Sequence, residues 1–317
     1  MKASLKLSAL ILLLLGLIVL FMSYQVGWNN EYVLSRRAIR VGTMLVVGIS
    51  VAFSSLIFQT ISNNRILTPS IMGYESIFIL FQTVIVFYYG DKAFKVISQE
   101  ENFFYAIILM LLFSVLMYMI MFGKNKKGMY QLLLLGMVMG TLFQTMSQFL
   151  HVMIDPNEFS IIQNFMFVSF SKMNTSLLGI AAITLIGTIV YSSFYFRYLD
   201  VTALGKEHAI NLGVNYDHMI KRFMLIISLL VSVSTALVGP ITFLGILVSN
   251  LTYELFKTRK HRQMLWICAL ISCSCLLLGQ FLVEHVLQFS TTVSIVINFI
   301  GGAYFMYLLW ITRKKIS

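Results

Sequence analysis

The sequence contains few charged residues. Only 11% of its 317 residues are Asp, Glu, Lys or Arg, whereas 59% are apolar or aromatic, and the mean hydropathy is +0.87. An ordinary soluble domain carries about 25% charged residues, so a water-facing surface cannot be built from this composition. Because every backbone polar group must be paired internally in lipid, we expect an all-α, polytopic membrane protein.

Cysteine is almost absent as well. The three cysteines fall within a single apolar stretch and have no partner elsewhere. This pattern gives neither a disulfide framework nor a zinc-ligand spacing, and it is typical of small buried residues. We expect no metal site and no cofactor. The cysteines are Cys268, Cys273 and Cys275.

Catalytic signatures are also missing. The G-x-x-x-x-G-K-[ST] loop that holds nucleotide phosphates does not occur, so the chain cannot hydrolyse ATP by that route. The Glu-His pairs at 207–208 and 284–285 lack the second histidine of H-E-x-x-H, and G-x-S-x-G is absent. A polytopic protein without such chemistry is typically a conduit, a receptor or a scaffold rather than an enzyme.

Long apolar runs are what the sequence has in abundance. About 20 helical residues cross the hydrocarbon core, and this length divides the chain into ten predicted spans. A shorter, more polar segment at 157–172 predicts a half-helix or an interfacial helix. The loop between spans seven and eight is so short that we expect these spans to be antiparallel neighbours. The ten predicted spans are 7–26, 41–61, 71–90, 103–122, 129–150, 176–196, 222–239, 241–256, 264–283 and 293–312.

The basic residues predict the orientation. The formal net charge of +11 would suggest nucleic acid in a soluble protein. With ten spans and the amino terminus inside, most of the 23 Lys and Arg residues fall in cytoplasmic segments, as the positive-inside rule requires. We therefore expect both termini on the cytoplasmic side of the cell membrane and no nucleic-acid partner. The exceptions, placed outside by this topology, include Arg36, Arg37 and Arg40.

The largest polar interruption is the segment 197–222, which the predicted topology places in the cytoplasm. It is too long for a turn, and Gly205 and Gly213 are suited to ending short helices. The pattern predicts two short helices at the membrane surface with an apolar face offered to a partner. A monomer would have no reason to expose such a face.

Polar residues inside the predicted spans are costly and therefore informative. Amides and hydroxyls either line a water-filled pathway or join helices by hydrogen bonds worth about 0.6–2 kcal/mol, and the sequence leaves both open. Glu75 and Glu254 differ, because a buried carboxylate must be paired, protonated or hydrated. Gly136 and Gly140 form a G-x-x-x-G face that serves either packing within the subunit or dimerisation.

Several motifs occur in a fixed order between about Arg36 and Leu309. They lie at 36–40, 59, 63–73, 204–214, 239–248, 260–262 and 301–305. Together they resemble the permease subunits of binding-protein-dependent ABC importers for iron–siderophore complexes, haem and vitamin B12, the FecCD type. The chain departs from the usual Pro-His at Ser249 and Asn250. The sequence N-N-R-x-L-T-P-S-I-M-G, with 155–159, resembles a branch that serves catecholate siderophores, petrobactin among them.

The resemblance implies a type II ABC importer permease fold with about ten transmembrane helices in a single domain, residues 1–317, containing a coupling loop at 197–222. It implies a second permease subunit, two ATPase subunits, an extracytoplasmic siderophore-binding protein and a ferric siderophore as partners, in a lipid bilayer. Implied ATPase-coupling residues are Leu204, Gly205, Lys206, Glu207, Ala209, Leu212, Gly213 and Val214. Candidate pathway residues are Gln59, Gln144, Ser147, Gln148 and Asn298, and candidate residues for docking the binding protein are Glu31, Asp155 and Glu158.

Two other classes compete with this hypothesis. A secondary transporter driven by an ion gradient would show inverted repeats with matching broken helices, and no such repeat is visible in the sequence. A membrane scaffold would leave the amides within the spans unexplained. The exposed loop acids, for their part, are either docking residues or simply solvated charges.

Overall fold

The computed structural model describes residues 3–25, 31–122, 129–170, 174–256, 258 and 260–314, and all regular structure in these ranges is helical. Every predicted span falls on a helix. Seven described helices are long and apolar enough to cross a membrane. The third and eighth spans form helices of only 16 and 12 residues, and the tenth falls on a shorter apolar stretch, Val293–Tyr307. In chain order the α-helices are α1 (Ala3–Ser23), α2 (Glu31–Ser62), α3 (Tyr74–Tyr89), α4 (Ala93–Val96), α5 (Gln99–Phe122), α6 (Met129–Met153), α7 (Pro156–Met166), α8 (Thr175–Ser193), α9 (Phe196–Thr202), α10 (Lys206–Asn211), α11 (Tyr216–Val238), α12 (Leu244–Leu255), α13 (His261–Phe281) and α14 (Val293–Lys314).

Helix α2 is the central element of the bundle, and α11 and α13 pack directly against it. Its apolar side chains, such as Phe53 and Leu56, are fully buried. The approach of α13 depends on Gly48, since a Cβ at that position would lie 2.9 Å from Sγ of Cys273. Helix α1 is peripheral and packs mainly against α13. The interior is therefore built around helices that are far apart in sequence.

Two arginines of α2 hold the neighbouring helix ends. Nη1 of Arg37 donates hydrogen bonds to the carbonyl oxygens of Phe21 (2.8 Å) and Tyr24 (2.9 Å), at the end of α1 where carbonyls lack intrahelical partners. Nη1 of Arg40 lies 2.8 Å from Oε1 of Glu284 and forms a salt bridge with it. These contacts give partners to Arg37 and Arg40, two of the basic residues that the predicted topology places outside, and they accompany an α2 that starts earlier than predicted.

Two breaks interrupt the helices within the bundle. After α2, the chain forms a 3₁₀ turn at Pro69–Met72, and Gly73 has a φ of 87°, a left-handed conformation that favours glycine. After α11, Gly239 has a φ of 99°. Helix α12 then packs against α2, α13 and α14, so the prediction that spans seven and eight are packed neighbours is wrong. The break at Gly239 and Pro240 turns the chain away from α11.

The glycine pair of α6 packs within the subunit. A Cβ at Gly136 would lie 2.9 Å from Cα of Met72, and a Cβ at Gly140 would lie 3.1 Å from Cα of Gly73. The α6 backbone thus lies directly against the 3₁₀ turn and the residue that follows it. Small residues permit this approach, and the G-x-x-x-G face is used here for internal packing.

Candidate translocation and coupling surfaces

The residues predicted to couple to an ATPase, all between Leu204 and Val214, lie in a continuous helical segment, residues 196–214, which we call the coupling segment. It contains α9 and α10, so the two predicted short helices are confirmed. Gly205 separates them with a φ of 96°, and Gly213 follows α10 with a φ of 78°. Both values lie in the left-handed region, where a side chain would strain the backbone. Two sharp turns therefore enclose α10, each made at a glycine.

Apolar side chains of the coupling segment are exposed. The exposed fractions of Leu204, Ile210 and Leu212 are 55%, 51% and 62%, whereas Ala209 is fully buried and holds α10 in place. Lys206 and Glu207 are also exposed, Gly205 and Val214 are half-buried, and Nζ of Lys206 lies 3.9 Å from Oδ1 of Asp217 in α11. Exposed apolar groups on a rigid turn, with charges beside them, form a surface suited to docking another protein.

One carboxylate ties the coupling segment to the core. Oδ1 of Asp200 accepts a hydrogen bond from the backbone N–H of His261 (2.9 Å) and lies 2.6 Å from Nδ1 of the same residue. Helix α9 also packs against α13 and α2. The coupling segment is therefore attached to the start of α13 and to α2. No local sequence pattern indicates this pair, because its members are far apart in the chain.

The predicted pathway residues of α6 and α14 differ in their surroundings. Gln144 and Gln148 are exposed and lie one helical turn apart, on the same face of α6. Ser147 is buried, and its hydroxyl donates to the carbonyl oxygen of Phe143 (3.0 Å). Asn298 of α14 is half-buried, and its Oδ1 is without a hydrogen-bond partner among the described residues. Only the two glutamines present amides on an open face.

Gln59 lies away from that face, in the interior. Its exposed fraction is 2%, and its Nε2 donates to Oγ of Ser249 (2.7 Å), which joins α2 to α12. The next residue, Asn250, donates from Nδ2 to the carbonyl oxygen of Arg65 (3.2 Å). The two residues that replace the Pro-His of the resembled family thus serve contacts between α12 and the end of α2.

Glu75 lies where the two helix breaks meet. Its Oε1 accepts a hydrogen bond from Oγ of Ser70 (2.7 Å), and its Oε2 accepts one from Oγ1 of Thr242 (2.7 Å). Glu75 is in the first turn of α3, and Thr242 closely precedes α12, so two helix amino-terminal ends stabilise the carboxylate. The sequence marks Glu75 as needing a partner but does not identify Thr242, 167 residues away.

The three acidic residues predicted to dock a binding protein differ in their structural roles. Asp155 is exposed and caps α7, with Oδ1 accepting a hydrogen bond from the backbone N–H of Asn157 (2.9 Å). Glu158 is half-buried in the first turn of α7, against Gly90. Glu31 is the exposed first residue of α2. The first two stabilise the start of α7 as well as placing negative charge there.

Comparison with known proteins gives the family. A family model described as the FecCD transport family matches residues 4–311. The chain belongs to the FecCD transport family. It is 47% identical over 315 residues to the petrobactin import system permease protein YclO of Bacillus subtilis, covering 99% of this chain and 100% of the relative. It is 30% identical to the petrobactin import system permease protein FatC of Bacillus anthracis, covering 89% and 79%.

Solved structures agree on the fold of this FecCD family member. A chain from an inward-facing conformation of a metal-chelate type ABC transporter matches with a TM-score of 0.84 at 21% identity, covering 96% of this chain and 98% of that chain. A chain of PsaBC from Streptococcus pneumoniae matches with a TM-score of 0.59 at 15% identity, covering 92% and 94%. The predicted family, the resemblance to the petrobactin branch and the all-α importer permease fold are confirmed. The chain is a multi-pass membrane protein of a transport family.

Proposed function

We propose that this chain is the transmembrane permease subunit of a binding-protein-dependent ABC importer that carries a ferric catecholate siderophore, petrobactin or a close analogue, across the cytoplasmic membrane. One observation carries the proposal. The coupling segment exposes Leu204, Ile210 and Leu212 at one end of the helix bundle. The chain itself has no phosphate-binding loop, so the energy of ATP must come from a partner that docks there. Similarity to two petrobactin permeases supports the choice of cargo.

The proposed assembly contains two permease subunits, homologous or identical, with the whole of 1–317 acting as one permease domain in each. Two separate ATPases dock on the loop 197–222, and an extracytoplasmic binding protein delivers the chelate, with Glu31, Asp155 and Glu158 as docking acids. Both termini are cytoplasmic. ATP hydrolysis takes place on the partner subunits, and the permease itself performs no chemistry.

The proposed mechanism is a rigid-body alternation between outward-open and inward-open states. Closure of the ATPases displaces the coupling segment, and the Asp200–His261 contact passes this motion to α13 and so to α2. Gln144 and Gln148 of α6, with Asn298 of α14, line the pathway. Neutral amides suit this role because a pathway must bind its cargo weakly enough to release it.

The docking part of the proposal is tested with the full-length chain in a strain that lacks the native gene. Leu204→Ser and Leu212→Ser remove the exposed apolar groups and are expected to abolish co-purification of the ATPases and the uptake of ⁵⁵Fe-labelled siderophore. Ile183→Ser is the matched control, because this side chain is 73% exposed in the middle of α8, outside the coupling segment. The proposal is wrong if no ATPase co-purifies with the unmodified chain and uptake survives loss of the gene.

The energy source separates this proposal from a secondary transporter. In proteoliposomes that hold the complete importer, we expect uptake to require ATP on the side of the ATPases and to persist when ionophores remove all ion gradients. Uptake that stops with the gradients and ignores ATP would favour the gradient-driven alternative.

A further inference from the structure

A cleft of about 470 Å³ lies at the end of the bundle opposite the coupling segment. It is formed between α7, the residues 167–170 that follow it, and the chain that joins α13 to α14. Helix α13 begins beside Asp200 and ends at this cleft, and its 21 residues span roughly 30 Å. In the proposed topology the cleft is on the outer side of the membrane. We call it the outer cleft.

The lining of the outer cleft combines aromatic rings with neutral hydrogen-bonding groups. None of the described lining residues is charged. Such a surface can contact an aromatic ligand and donate hydrogen bonds to it without repelling a negative charge. The side chains that matter most for this chemistry are Ser160, Gln163, Phe167, Gln280, Phe289 and Thr292.

The backbone that carries Phe289 is strained. Phe289 has a φ of 58°, and Gln288 before it has a φ of 47°, in a region that non-glycine residues rarely adopt. The segment follows a π-helical turn at Leu282–Val286, and the N–H of Phe289 donates to the carbonyl oxygen of Val283 (2.9 Å). The result is a large ring that is 58% exposed on a hydrogen-bonded turn. Backbone strain and π-helical turns are both concentrated at functional sites.

The walls of the outer cleft are fixed by one local hydrogen bond and two that join distant parts of the chain. Nε2 of Gln280 donates to Oε1 of Glu284 (2.7 Å), which also accepts from Arg40, so the carboxylate is neutralised behind the lining. On the other wall, the N–H of Val168 donates to Oγ of Ser294 (3.2 Å). These bonds connect α2, α13, α14 and the segment after α7. The shape of the cleft is therefore preformed by the packing of these elements.

We infer that the outer cleft binds one catecholate arm of the ferric chelate as it leaves the binding protein. This inference rests on the proposed function. It places a specificity site for the ferric chelate within a single permease subunit. Phe289 and Phe167 provide contact for the catechol ring, and the amide of Gln163 and the hydroxyl of Thr292 donate to its oxygens. The volume lies within the range of about 300–1,000 Å³ that is usual for small-molecule sites. Neutral donors hold the arm weakly, which permits its onward movement.

A fluorescence experiment tests the inference directly. Phe289→Trp places a reporter in the outer cleft of the assembled importer, and the probe is the ferric complex of catechol, which absorbs where tryptophan emits. We expect saturable quenching. Adding either Gln163→Leu or Thr292→Val should raise the half-saturating concentration by about 2- to 10-fold, the loss expected for one neutral hydrogen bond. Phe167→Trp on the facing wall repeats the measurement, should the first variant fold poorly.

Two controls accompany this experiment. Tyr88→Trp places an accessible reporter at the end of α3, since Tyr88 is 75% exposed and lies outside the cleft lining. Ferric EDTA supplies a chelate without aromatic rings, and the three native tryptophans contribute the same background throughout. Equal saturable quenching of the Tyr88→Trp reporter, or equal quenching by ferric EDTA, would overturn the inference.

Transport measurements separate the two proposals. If the importer carries ferric catecholate and neither cleft reporter is quenched, the outer cleft inference fails alone. If the reporters are quenched as expected but the importer does not carry the chelate, the proposed function fails and the cleft remains a catecholate site. A third result, in which Phe289→Ala weakens only the association of the binding protein and quenching is absent, also overturns the inference and makes this surface a docking site.

Discussion

Asp200 holds His261 by two contacts from a single carboxylate oxygen, one to the backbone N–H at 2.9 Å and one to the imidazole Nδ1 at 2.6 Å. The pair joins the coupling segment to α13, which packs against the central helix α2. Because His261 is the first residue of α13, the contact also fixes where that helix begins.

Removing this contact should impair coupling more than assembly. In Asp200→Ala, both hydrogen bonds are lost, at a cost of about 1 kcal/mol, given that the Asp200 side chain is 43% exposed. We expect uptake per ATP hydrolysed to fall by about fivefold while the ATPases still co-purify. The measurement is the ratio of ⁵⁵Fe uptake to phosphate release. An unchanged ratio would contradict the proposed route, and Glu100→Ala, an exposed carboxylate at the start of α5, is the control.

The second prediction concerns Glu75 and the two helix breaks. Glu75→Ala leaves the hydroxyls of Ser70 and Thr242 without their acceptor, and an unsatisfied buried group costs about 1–3 kcal/mol. We expect a lower unfolding temperature in detergent, measured by the loss of the monodisperse peak after heating. Glu75→Gln keeps an acceptor and should unfold closer to the native temperature. Equal unfolding temperatures for Glu75→Ala and the native chain would show that the hydrogen bonds of Glu75 do not stabilise the packing of the two helix breaks.

The third prediction separates tight glycines from open ones. A Cβ at Gly136 would lie 2.9 Å from Cα of Met72, so Gly136→Ala forces α6 away from the 3₁₀ turn and should cost about 1–3 kcal/mol. A Cβ at Gly187 of α8 would meet no described neighbour within 4 Å, so Gly187→Ala should be neutral or stabilising by up to about 1 kcal/mol. Thermal unfolding of the two variants side by side is the measurement. If both behave alike, the close packing of α6 does not limit stability.

The fourth prediction concerns topology. Asn157 follows the start of α7, near the outer cleft, and Asn215 lies between the coupling segment and α11. With the native cysteines replaced, Asn157→Cys should react with an impermeant maleimide in intact cells. Asn215→Cys should react only after permeabilisation. The reverse pattern would invert the membrane orientation and place the outer cleft in the cytoplasm.

Hydropathy locates the helices because lipid leaves the backbone no other way to pair its polar groups. Hydropathy locates a helix end less well where a charged residue near that end is paired with a group from another helix. The predicted second span begins at 41, whereas α2 begins at Glu31, because Arg37 and Arg40 are satisfied by the α1 carbonyls and by Glu284. A charge count along the sequence cannot register such partners, since they come from distant helices.

The functional residues, like the helices, are predictable from the sequence only where the signal is local. The coupling segment is recognisable because its glycines and leucines are local features. Residue type alone groups Gln59 with the pathway amides, yet it is buried against Ser249, while Gln144 and Gln148 are exposed on α6. The outer cleft has no sequence signature, because its lining is assembled from α7, α13 and the loop between α13 and α14, and its strained residue Phe289 is an ordinary apolar residue in the sequence.

The position of α1 has a consequence for biosynthesis. Helix α1 is synthesised well before its main packing partner, α13, which lies far along the chain. At about 5–20 residues per second, roughly 10 to 50 seconds of translation separate the two. Until then the main contacts of α1 among the described residues are with α2, including the hydrogen bonds from Arg37. A helix that is made early is therefore among the last to be packed, and its largely apolar sequence allows it to remain in lipid meanwhile.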